Sequence, residues 1–188
     1  MNTFHNSNLN LKAKLINAKR QGGFTLVEVG IVAVVVLALL AGVINAPRIM
    51  ADMRANDEIG ELKTISTNVQ KIYSNAPSYN GATMAEIIGM KALPKNRVVN
   101  ATTATNRWSG SLTLTPATLT TADDAIRMTQ TAVPEYECAT IIPQTEAGFA
   151  RISVGGTDVK PFGGTMNRTA LGTQCTGANL TIDYYFTK

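Results

Sequence analysis

Histidine is almost missing from this chain. The only one, His5, lies ahead of residue 24. Beyond that point there is none, which excludes Ser-His-Asp and Cys-His catalysis and severely weakens a zinc site. No other chemistry takes its place: there is no P-loop, no G-x-G-x-x-G after a strand and no EF-hand loop. Aromatic residues are scarce at 6%, with a single tryptophan, Trp108. Acid is absent before Glu28, and Lys12, Lys14, Lys19 and Arg20 are the only charged residues before Phe24. Setting those aside from 17 basic and 13 acidic side chains leaves 13 of each. The basic balance therefore belongs to the N-terminus and points to a membrane rather than to nucleic acid. The near-neutral remainder removes one barrier to self-association. No catalytic residue, cofactor or metal is implied, and the expectation is a protein that is not an enzyme.

Cysteine is nearly as rare, with only Cys138 and Cys175. They read either as one disulfide in an oxidising compartment or as two free buried thiols. A long apolar run ahead of both weights the reading towards the disulfide. That run, Phe24 to Ile44, carries only Thr25 and Glu28 as polar residues. As a helix it would span roughly 31 Å, enough for a bilayer core. The basic residues before it place the N-terminus in the cytoplasm and the chain beyond Pro47 outside.

Beyond the apolar run, Ile49, Met53, Ile59, Leu62, Ile65, Val69 and Ile72 form one stripe. They predict that the helix continues to about Tyr73, with a kink at Pro47. Asp52, Arg54, Asp57, Glu58, Glu61 and Lys63 read as its solvated face. Thr83 opens a short helix to about Met90 by a capping box with Glu86. Strands are expected over Ser109–Thr115, Ile126–Val133, Phe149–Val154, Thr157–Lys160 and Leu180–Phe186, with a Gly155-Gly156 turn. A helix is expected from Pro134 to Ile142, ended by Pro143. Asp123-Asp124 reads as a turn rather than a calcium pair. Trp108 reads as a half-buried strand aromatic rather than a stacking platform. Tyr184, Tyr185 and Phe186 read as a strand covered on both faces, one of them by a neighbouring subunit. Helix first and antiparallel strands after is an α+β pattern.

The stretch Lys19 to Gly42, KRQGGFTLVEVGIVAVVVLALLAG, decides between three functions for the apolar run. A secretory signal would be shorter and followed by a small-x-small site, and Ile44-Asn45-Ala46 is a poor one. A plain anchor leaves Glu28 without a partner. Cleavage between Gly23 and Phe24 would keep the apolar helix and discard the basic leader. On Gly22-Gly23-Phe24-Thr25-Leu26-Val27-Glu28 and the helix behind it, the chain resembles the type IV prepilins. The resemblance implies Gly23 as the last leader residue and Phe24 as the new, N-methylated terminus. It implies Glu28 as the acid that serves assembly. It also implies a long N-terminal helix on an antiparallel sheet, and a disulfide-closed C-terminal region that Cys138 and Cys175 would supply. The long leader and wide cysteine spacing resemble the type IVb subclass, among them plasmid thin-pilus and enterobacterial bundle-type pilins. A phenylalanine at the new terminus is more usual in type IVa.

The expected organisation is a removed leader at 1–23, a hydrophobic helix at 24–50 and a head at 51–188. The helix would lie first in the membrane and then in a fibre core. The expected partners are further copies of the chain, a prepilin peptidase, the inner-membrane assembly machinery and, before assembly, the membrane; no specific nucleic acid is expected. The precursor is placed in a bacterial inner membrane, and the product in an extracellular pilus serving adhesion or conjugation. A type II secretion pseudopilin and a minor pilin acting as a tip adhesin are the alternatives.

Overall fold

The structure, a computed structural model, describes residues 25–188, and the side chains of all of these except 41–46. His5, Gly23 and Phe24 lie outside the described residues. Helical backbone runs through α1, Leu26–Ile72, 47 residues with Pro47 inside it. The chain divides into two compact units between Ile44 and Asn45.

In the second unit, α1 is the first layer of an α+β fold. Ala55, Ile59, Leu62, Ile65, Val69 and Tyr73 are buried, spaced so that one face of the helix meets the core. Ile49 and Met53, assigned to the same stripe from sequence, are instead exposed, as is Met50. The head covers the helix only from about Ala55 onward. After the turn at Asn75–Gly81, α2 (Met84–Gly89) is capped as expected, the Thr83 side chain accepting from the Glu86 N–H at 3.2 Å.

The second layer is a six-stranded antiparallel sheet. Its strands are β1 (Ala104–Thr105), β2 (Ser111–Ala117), β3 (Ala125–Val133), β4 (Arg151–Val154), β5 (Thr157–Lys160) and β6 (Leu180–Thr187). Their order is β1-β2-β3-β6-β4-β5, so the C-terminal strand fills the middle of the sheet. Pro116 sits inside β2, where proline removes a ladder donor. It is tolerated because β1 pairs only with Ser111 and Leu112, leaving that side of β2 open at Pro116. Gly155 and Gly156 both take positive φ, +57° and +84°, as the two-residue turn between β4 and β5 requires.

Several expectations are corrected. The third helix, α3, covers Glu135–Thr145 and runs through Pro143 rather than stopping before it. Proline there removes one N–H, while the Thr145 hydroxyl donates to the Ile141 and Ile142 carbonyls at 3.0 and 3.1 Å. Lys160 Nζ then donates to the Glu146 and Phe149 carbonyls, each at 2.6 Å, just beyond the helix end. A further short helix, α4 (Arg168–Gln174), was not anticipated. Asn167 caps it, accepting from the Ala170 N–H at 3.0 Å. Trp108 lies in the turn between β1 and β2, half-buried against the core, and not in a strand. Tyr184 and Phe186 point into the core, and Tyr185, on the other face, is covered from within the chain. The Arg151 guanidinium stands 4.8 Å from its ring centre, so no neighbouring subunit is needed there.

Candidate assembly surface

In the first unit Thr25 is non-helical and Leu26 opens α1. The Glu28 N–H donates to Thr25 Oγ1 at 3.2 Å, and the Thr25 N–H donates to Glu28 Oε2 at 3.0 Å. The Thr25 hydroxyl lies 3.3 Å from the same carboxylate oxygen and donates to it. This is a reciprocal capping box, with the acid in the first turn where the helix dipole favours it. Glu28 therefore has partners within its own chain, and its presence alone does not count against a plain anchor. T-x-x-E ahead of an apolar run is the sequence signature of that box, and it was legible in Thr25-Leu26-Val27-Glu28.

From Leu26 to Leu40 every large apolar side chain is exposed, between 47% and 92%. A surface of that extent marks an interaction site. Among the described residues no helix is long and apolar enough to cross a membrane; the side chains described without interruption reach only Leu40.

The second unit holds a charged cluster where sequence reasoning placed a solvated face. Glu58 is 1% exposed and Arg97 6%. Arg97 donates to Glu58 at 2.8 Å and also to Glu61. Gln130, on the core face of β3, donates to Glu58 at 2.5 Å. Arg107, from the β1–β2 turn, meets Glu61 at 2.6 Å, Asp57 at 3.3 Å and Glu58 at 3.7 Å. Burial pushes the Glu58 carboxyl above its ordinary value, opposed by Arg97 and then by the Gln130 hydrogen bond. The signal for Glu58 was its spacing: it lies three residues after Ala55 and four before Leu62, on the buried face. Elsewhere burial raises the Tyr73 and Tyr79 hydroxyls to about 12.

Cys138 of α3 and Cys175 at the end of α4 form the disulfide, with Cα atoms 5.6 Å apart. The loop it closes contains β4, β5 and α4, so it pins the C-terminal third of the head. Asp124 sits in a turn as expected. Its carboxylate accepts the N–H groups of Leu119, Thr120 and Thr121 at 2.7, 2.8 and 2.8 Å. Desolvation pushes it up, but the three donors outweigh that and hold it below its ordinary value.

Known proteins converge on one family. Residues 52–185 match the family described as PilS N terminal, which is more than half of the chain. The major structural subunit of the bundle-forming pilus of Escherichia coli is 24% identical over 172 residues, covering 88% of this chain and 89% of that protein. The crystal structure of a type IVb pilin from Salmonella typhi superposes with a TM-score of 0.59 at 18% identity. It covers 71% of this chain and 99% of that one. TcpA, a type IV pilin of Vibrio cholerae El Tor, gives 0.56 at 12% identity, over 72% and 99%. These two likenesses carry the fold: a helix on an antiparallel sheet with a disulfide in the C-terminal region. The chain belongs to the PilS family, and its fold is that of the type IVb pilin from Salmonella typhi.

Proposed function

We propose that this pilin is the structural subunit of a type IVb pilus, made as an inner-membrane precursor with its N-terminus in the cytoplasm. A prepilin peptidase removes residues 1–23 by cutting after Gly23, and Phe24 is N-methylated. The inner-membrane machinery then polymerises the subunits into an extracellular fibre for adhesion or conjugation. The observation that carries this reading is the exposed apolar face from Leu26 to Leu40 directly behind the Gly22–Glu28 motif. In a precursor that face suits lipid. In a fibre it suits the same face of other copies, and its burial supplies most of the association energy. Family membership and the bundle-forming relative support a fibre subunit over a secretion pseudopilin.

Cleavage gives Phe24 an α-ammonium, which needs an anionic partner once buried among apolar helices. Glu28 of a neighbouring subunit supplies it and sets the axial register. Glu28→Val is therefore expected to be cleaved normally but to yield no normal fibres, measured by mass of the cellular pilin and by shearing of surface fibres. Wild-type fibre yield from that variant removes the role assigned to Glu28.

A further inference from the structure

Thr25 makes every hydrogen bond described for the Glu28 side chain in this structure. Its N–H and its hydroxyl both reach Oε2, at 3.0 and 3.3 Å, while its Oγ1 accepts the Glu28 N–H. A carboxylate has about four lone-pair sites, so the second oxygen, Oε1, keeps its capacity for another donor. We propose that Thr25 is a positioning residue for assembly: its hydroxyl holds Glu28 by one oxygen over the start of its own helix and so presents the other to the Phe24 ammonium of an incoming subunit.

The inference rests on the reading of Glu28 as the assembly acid and deepens it. A Glu side chain at the surface of a helix samples many rotamers, and fixing it before docking removes an ordering cost from the docking step. The box also keeps the carboxylate hydrogen-bonded in a subunit whose partner has not yet arrived. Such an acid would otherwise enter an apolar environment with no donor. Thr25 directly follows the residue that carries the new ammonium. Anything that fixes Glu28 against Thr25 therefore fixes it against the terminus of its own chain as well.

The test uses cells making the full precursor as wild type, Thr25→Val, Thr25→Ser, Thr25→Gly and Glu28→Val. Two quantities are read: the mass of the cell-associated pilin, which reports leader removal, and the amount of sheared fibre over time. Valine keeps the shape of threonine without the hydroxyl. Thr25→Val is expected to lose its leader normally and to assemble about five-fold less, the equilibrium factor of one lost cap hydrogen bond. Thr25→Ser keeps the hydroxyl and is expected to assemble like wild type. Glycine is nearly as good a helix cap as threonine but cannot bond Glu28 through a side chain. Thr25→Gly is therefore expected to behave like Thr25→Val, whereas a purely capping role predicts near-normal fibres. Normal assembly of Thr25→Val beside a blocked Glu28→Val overturns the role of Thr25 and leaves Glu28 standing. Normal assembly of Glu28→Val overturns the underlying reading instead. Equal defects in the serine and valine variants, or a retained leader in Thr25→Val, also overturn the proposal.

Discussion

Replacing Arg97 by methionine removes the guanidinium that meets both Glu58 and Glu61 in the head and leaves a chain of similar length to fill the space. Glu58, 1% exposed, then retains the Gln130 amide at 2.5 Å and Arg107 at 3.7 Å. Breaking a buried pair in this way costs about 3–5 kcal/mol in general. Here the loss has a ceiling, because Glu58 can escape by binding a proton. Neutralising a carboxyl of ordinary value 4.5 at pH 7 costs about 3.4 kcal/mol, at about 1.36 kcal/mol per pH unit. The sign follows from Arg97, which in wild type opposes the burial that raises Glu58. Wild type itself gains as pH falls towards 4.5, but the variant, with Glu58 raised further, gains more. A deficit of about 3 kcal/mol at pH 7 should be smaller at pH 5. Urea unfolding of the full chain in detergent measures it, with Trp108 beside Arg107 as the fluorescent reporter. Adding Glu58→Gln should recover most of the deficit at pH 7. A loss below about 1 kcal/mol at pH 7, or one equal at both pH values, refutes the cluster as a buried, mutually dependent unit.

Two further outcomes follow from the head. Removing the disulfide by Cys138→Ala should cost about 4 kcal/mol for the separation of 37 residues, read as a lower urea midpoint with the reporter unchanged. Asp124→Ala should cost about 1 kcal/mol, because the half-buried Leu119 N–H loses its acceptor while the exposed Thr120 and Thr121 N–H groups turn to water. The wild-type carboxyl lies below its ordinary value of 3.8. Its contribution is therefore present above that pH and lost as pH falls through the folded value, so the two proteins should converge in acid.

The residues that declared themselves in the sequence are those whose role depends on local pattern. Alternation at Leu112 and Leu114 and at Ile182, Tyr184 and Phe186 marked strands, since a strand must send every second side chain to the core. Thr83 and Glu86 marked a helix start. What stayed hidden depends on partners far along the chain. Glu58 has the spacing of a core position, but its charge reads as surface until Arg97 and Gln130 arrive from 39 and 72 residues away. Met53 has the spacing of the stripe, yet the head does not extend over it. Pro143 reads as a helix end because a local rule treats proline as a breaker, yet α3 runs through it to Thr145 with one N–H lost. At the N-terminus the motif is legible in the residues, and so is the box that Thr25 builds around Glu28, since both are local patterns.

The account turns on a chain that is cut after Gly23, modified at Phe24 and polymerised. The intact mass of the protein in sheared surface fibres tests all of this at once. It should equal residues 24–188 plus one methyl group and minus the two hydrogens lost to the Cys138–Cys175 bond. A mass matching the full chain, or the absence of this protein from the fibres, would contradict it.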